Sequence, residues 1–289
     1  MNRNNLAFLI FFLALFFSNS VLAYTTQSFG DTKNTGDFLV KPVKTEISLD
    51  PGKTWDTVLS VANRNGKRLD FKISLQDFTA KDNVELVENS PYSLRDYIFP
   101  DTSGFYLEHG QVANIPVKIE IPPFANPGSM HIALVVSTNS GDNAVSQIAS
   151  IFLVTVKGKA LVGGNLENFV FNKKNKSFDV IFKNSGNVYL NPKGKITVKG
   201  LIGKESIVNI NEYFVLPNTS RLQKFALPNG IYFGKYKAKI ELYKGFGDVS
   251  DYREISFWLF DKNILIVLGV VIVVGFLIIV IIKHKQKIN

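Results

Sequence analysis

Residues 234–243 read Gly-Lys-Tyr-Lys-Ala-Lys-Ile-Glu-Leu-Tyr. Tyr236, Ala238, Ile240 and Leu242 alternate with Lys235, Lys237, Lys239 and Glu241, the period of two that sends successive side chains to opposite faces of a strand. Such a segment buries one face and wets the other, as strands of antiparallel sheets do. The same rhythm recurs at Phe178, Val180 and Phe182, at Phe71, Ile73 and Leu75, and at Val117, Ile119 and Ile121. No helical stripe of useful length interrupts it over residues 24–260.

Turn formers fall between these runs: Pro51-Gly52, Asn65-Gly66, Pro127-Gly128, Ser185-Gly186-Asn187 and Asn229-Gly230. Short strands punctuated this often, with no alternating helices, predict two tandem Ig-like antiparallel β-sandwiches in a mainly β chain. The first is expected over 37–157 and the second over 158–260, with a hinge near 158–164 and a loose polar segment over 24–36. Residues 81–104 form a connection long for a sandwich, either a lid or an aromatic binding loop. Tyr92, Arg95, Tyr97 and Phe99 are its candidate binding residues.

Both ends of the chain have a different character. Arg3 followed by apolar Leu6–Phe17 and by Val21-Leu22-Ala23 has the layout of a signal peptide over 1–23, cleaved after Ala23. Ile264–Ile282 is nineteen residues without a charge, and Lys283, Lys285 and Lys287 follow. That pattern predicts a transmembrane helix over 264–282 and a cytoplasmic tail over 283–289. The N-terminal domains then lie outside, in a single-pass cell-membrane protein.

The 289 residues carry a net charge of +9 and no cysteine, which removes disulfides and thiol chemistry. The charge is uneven. Residues 24–157 hold 12 Lys/Arg against 15 Asp/Glu, and residues 158–247 hold 15 against 5. Lys173, Lys174, Lys176, Lys235, Lys237 and Lys239 are candidate contacts to an anionic surface. The bland alternative is that outward lysines keep strands soluble and block edge pairing.

An enzymatic reading finds no support. His109 and His131 belong to no metal-ligand pattern, and no serine sits in a nucleophile setting. Glycine patterns for phosphates are missing. Loop acids Asp77, Asp82, Asp96 and Asp101 lack calcium-loop spacing. The chain is therefore expected to be non-catalytic, with no cofactor, no metal and no nucleic-acid partner.

Phe38-Leu-Val-Lys-Pro42, Leu49-Asp-Pro-Gly52 and Val58-Leu-Ser-Val-Ala-Asn63 resemble the opening of pilus-chaperone-like Ig domains. With Ile121-Pro-Pro-Phe-Ala-Asn-Pro-Gly128 and the layout of the chain, they also resemble the WxL-interacting proteins of Gram-positive surfaces. The chain has no W-x-L tripeptide of its own, since Trp55 leads to Thr57 and Trp258 to Phe260. The second resemblance implies a membrane-anchored protein that holds or displays a surface protein or cell-wall polymer through its distal Ig-like domain. The first implies a chaperone-like or accessory subunit of an assembly complex, accepting a strand at an exposed edge near Phe38–Leu49 or Gln147–Val156. Neither fixes an oligomeric state.

Overall fold

The computed structural model describes residues 24–28, 33–139, 145–200, 205–231, 233–260 and 269–279. Among these residues the chain is built of strands. In order they are β1 (Thr25–Ser28), β2 (Phe38–Lys41), β3 (Lys44–Leu49), β4 (Thr54–Asn63), β5 (Leu69–Ala80), β6 (Val84–Val87), β7 (Ile98–Pro100), β8 (Gly104–Leu107) and β9 (Gln111–Glu120). There follow β10 (Gly128–Asn139), β11 (Val145–Val156), β12 (Gly164–Asn172), β13 (Ser177–Asn184), β14 (Lys193–Gly200), β15 (Ser206–Ile210), β16 (Ser220–Ala226), β17 (Phe233–Tyr243) and β18 (Ser250–Phe260).

They form four sheets. One runs β1-β9-β4-β2 with β7 also on β9, and one runs β3-β11-β10-β5-β6 with β8 also on β5. The other two run β12-β13-β16 and β15-β14-β17-β18. The alternation at 234–243 appears in β17 as buried Ala238, Ile240 and Leu242 between exposed Lys235, Lys237 and Lys239.

The chain divides into two compact units. The first takes in the described residues up to Gln76, Ser93–Ala125 and His131–Val154. The second takes in Asp77–Tyr92, Asn126–Met130 and the described residues from Thr155 onward. The first unit buries Leu59, Val61, Leu107, Ile115 and Ile119 at 1% exposure or less. At one end of its core Phe71 packs edge-on to Phe38 and stacks on Phe105, with centroids 5.3 Å apart in each case. Tyr24 reaches the same group, 5.4 Å from Phe105.

The second core centres on Phe178, whose ring lies 5.3–5.8 Å from those of Phe169, Phe171 and Phe257. Phe171 stacks on Phe257 at 4.0 Å. Such rings dominate core energetics through the area each one buries.

Two features depart from the sequence-based expectation. Residues 81–104 are not one irregular connection: β6, a 3₁₀ turn at Arg95–Tyr97, and β7 occupy them, with β8 opening at Gly104. The apolar alternation around Tyr92–Phe99 leaves room for a covering strand or a short helix, and both occur as pieces of three or four residues. The second departure corrects the membrane assignment. Among the described residues no helix is long and apolar enough to cross a membrane. The helical residues described are 269–279. The single-pass cell-membrane localisation, with its membrane partner, is overturned with it. Residues 264–268 and 280–282 lie outside the described residues, as do the expected leader 1–23 with its Ala23 cleavage point and the tail 283–289.

Candidate functional site

The edges of the first unit are where an extended partner would meet unused backbone groups, and the sequence treats them unequally. β2 ends one sheet and β3 ends the other, so Phe38–Leu49 is an edge in both. This edge is guarded. Lys41 is exposed, Pro42 has no N–H to offer, and Lys44 pairs with Glu46 at 2.9 Å. Charge and proline are the usual means of blocking edge pairing.

β11 lies between β3 and β10, but β3 has 6 residues against 12 in β11 and can cover only about half of it. The link just before β3 meets β11 at mid-strand, where the Ile151 N–H donates to the Val43 carbonyl at 2.9 Å and the Ser150 hydroxyl donates to the Pro42 carbonyl at 2.5 Å. From Ser150 to Val154 every residue but Ile151 is buried. Ser146 and Gln147 are exposed, and Ile148 and Ala149 are half-buried. Val145-Ser-Gln-Ile-Ala149 carries no charge and no proline.

The polarity of this half-strand follows from alternation. Backbone groups of a strand point to its two edges in turn. Since Ile151 addresses β3, Val145, Gln147 and Ala149 address that same edge, while Ser146 and Ile148 address β10.

Two cavities open on the first unit. One of about 320 Å³ is lined by Gln27 of β1, Leu39 and Lys41 of β2, Ser60 and Ala62 of β4, and Val112 and Asn114 of β9, with Asn63, Arg64, Gly110 and Gln111. These residues share one sheet face, because Lys41 opposes Ser60, Ser60 opposes Asn114 and Gln27 opposes Val112. Arg64 is neutralised there by Asp37, with Nε–Oδ1 at 2.9 Å and a terminal nitrogen 2.5 Å from Oδ2. The Thr35 hydroxyl and then the Arg64 guanidinium hold the Asp37 carboxyl below its usual range. The second cavity, about 440 Å³, is lined by Gly52, Lys53, Thr54, Asp96, Tyr97, Phe99, Glu120, Ile121, Pro122 and Pro123.

The candidate binding residues are parted. Tyr97 and Phe99 line the second cavity, with Phe99 exposed. Arg95 is exposed on the 3₁₀ turn. Tyr92 belongs to the second unit, where its hydroxyl accepts from the Asn218 side-chain amide. Lys173, Lys174 and Lys176 occupy the turn between β12 and β13, whereas Lys235, Lys237 and Lys239 point outward from β17. Charge grouped these lysines in the sequence, and the fold gives them two different settings. No group of His, Cys, Asp and Glu that could hold a metal ion occurs among the described residues.

Sequence reasoning missed a bracket that each unit carries. Asn63 ends β4 fully buried. Its amide donates to the carbonyls of Lys67 and Leu107, both at 2.8 Å, and its Oδ1 accepts from the Asn65 N–H at 2.9 Å. Asn184 ends β13 fully buried and does the same, with Val188 and Val215 carbonyls at 2.8 and 3.0 Å and the Gly186 N–H at 2.9 Å. The signal was available as an Asn closing an apolar alternation just before a Gly-containing turn.

No family model matches the chain, and no curated protein matches it. Similar solved structures include the class 5 fimbriae chaperone CfaA, at 13% identity and TM-score 0.41, covering 77% of this chain and 99% of that one. Another is the YadV chaperone, at 9% identity and TM-score 0.42, covering 76% and 100%. A third is the CsuC–CsuE chaperone–tip adhesion subunit pre-assembly complex of Acinetobacter baumannii, at 14% identity and TM-score 0.40, covering 76% and 98%. The pilus-chaperone side of the sequence resemblance thus meets proteins of that kind, and the WxL-interacting side gains nothing. Likeness at this level says nothing about partner or activity.

Proposed function

We propose that this chain is a non-catalytic, chaperone-like binding module that accepts an extended strand of a partner protein along the first half of β11. One observation carries the reading: the contacts Pro42–Ser150 and Val43–Ile151 step the same way along both segments, which directs the 6 residues of β3 toward Val156 and away from Val145–Ala149, a stretch free of charge and proline. An unpaired, unguarded edge is a template for a further strand. Main-chain hydrogen bonds would supply affinity, and the alternate side chains of the incoming strand would supply selectivity. Holding a surface protein through the first sandwich is the broader form of the same reading; membrane anchoring forms no part of it.

The test exploits the two-edge polarity. A photo-crosslinking amino acid at Gln147, in the chain expressed in its native host, should capture one discrete protein. Gln147→Pro removes an N–H aimed at the open edge and should abolish capture elsewhere along Val145–Ala149 while leaving the fold intact. Ile148→Pro removes an N–H aimed at β10 and should destabilise the sheet. Undiminished capture by the Gln147→Pro chain would refute the proposal.

A further inference from the structure

We infer that the outward face of the β14-β17-β18 sheet binds an acidic polysaccharide lying along the strands, held by lysines set among exposed aromatic rings. This goes beyond the strand-accepting reading and rests on different residues, so either can fail alone.

Register fixes the layout of the face. Lys235 opposes Trp258, Lys239 opposes Glu254, and Glu241 opposes Tyr252. Lys237 opposes Lys199 and Glu241 opposes Lys195 on the other side. The carboxylates are each taken: Glu254 by Lys237 at 3.0 Å, Glu241 by Lys195 at 3.2 Å and Glu205 by Lys199 at 3.2 Å. Lys195 and the Tyr252 hydroxyl together hold the Glu241 carboxyl below its usual range, Lys195 first. Among the described residues, Lys235 and Lys239 form no ion pair, although Lys239 adds to the field that lowers Glu241.

These two surplus cations stand beside rings. Lys239 lies 5.6 Å from the centroid of Tyr252, and Lys235 is the cross-strand neighbour of Trp258. Tyr252 is 60% exposed, Trp258 49% and Phe233 48%, although such side chains are usually largely buried. A face serving only solubility has no need of exposed rings. Nor does it need Lys237 directly opposite Lys199, a like-charge pair that costs stability.

The dimensions select the ligand. Lys235 and Lys239 are four residues apart, roughly 13 Å along β17, and Tyr252 and Trp258 six apart, roughly 20 Å along β18. Rings and unneutralised cations thus recur along a length of several sugar units. A linear polymer that repeats flat apolar sugar faces and carboxylates would meet both, stacking on the rings and pairing with the lysines.

The full chain should be run through native gels containing polygalacturonate, with neutral dextran and anionic phosphatidylglycerol vesicles as comparison probes. Polygalacturonate should retard it, weakening with salt. Trp258→Ala and the Lys235→Glu/Lys239→Glu double variant should each weaken that binding by about tenfold or more. Lys173→Ala/Lys174→Ala, on the β12–β13 turn, should leave it unchanged; matched circular dichroism checks that all variants fold. Equal retardation by dextran, retardation indifferent to Trp258→Ala, or binding to vesicles alone would each overturn the inference.

Discussion

The two sandwiches are pinned alike and finished differently. In each, a buried Asn at the end of a strand joins a local turn to a distant segment through two donated bonds and one accepted. Each turn contains a glycine for its own reason. Gly66 adopts φ +82°, which side chains rarely tolerate, while a Cβ at Gly186 would collide with the Leu161 carbonyl. Outside the cores the likeness ends: the first unit presents the uncharged Val145–Ala149 half of β11, and the second turns a lysine-rich face outward. The cores solve one packing problem twice, and the surfaces differ.

Breaking the brackets gives the largest expected effect. Asn184→Ala strands the buried Val215 carbonyl and Gly186 N–H and the part-buried Val188 carbonyl, and should cost about 2–6 kcal/mol at roughly 1–3 kcal/mol per buried unsatisfied group. Asn63→Ala should cost about 1 kcal/mol less, because two of its three bonds are only part-buried against one of three for Asn184. Urea denaturation of both variants measures the gap, and equal losses would show that burial does not grade the two brackets.

A smaller effect sharpens the contrast from the second unit alone. The Tyr213 hydroxyl is buried without a hydrogen-bond partner among the described residues, and burial raises its pKa well above the ordinary 10.0. Its folded value lies above its unfolded one, so its stabilising contribution is complete below about pH 10 and is lost as pH rises from there. Tyr213→Phe should therefore leave stability at pH 7 unchanged and flatten the alkaline decline, read from thermal melts between about pH 9 and 11.

The smallest effect belongs to the first unit. Asp37, lowered first by Thr35 and then by Arg64, contributes above the usual carboxylate range and loses that contribution as pH falls through its depressed folded value. Carboxyl NMR should place its midpoint below 3.8. Thr35→Ala and Arg64→Ala should each raise that midpoint.

Strand content was legible because alternation is local. Gly234–Tyr243 declares its buried face without reference to any neighbour. The Asn brackets were half legible: Asn63 stands out at the end of Val58–Asn63, whereas Asn184 follows Lys183 and the less regular run around Ile181. The sequence names Gln147–Val156 as one of two candidate edges, but which of the two is guarded and which half of β11 lies beyond β3 could not be read, since an edge depends on which strands lie beside it and how long they are. Alternation carries neither fact. Sequence proximity likewise hid a boundary between units at Ser93, which parts Tyr92 from Tyr97 and Phe99.

Amide exchange resolved residue by residue along β11 tests the open edge most directly. The account predicts fast exchange at Gln147 and Ala149, with slow exchange at Ile148, bonded to β10, and at Ile151, bonded to Val43. Gln147 and Ala149 amides as protected as that of Ile151 would contradict it, for the edge would then already be occupied.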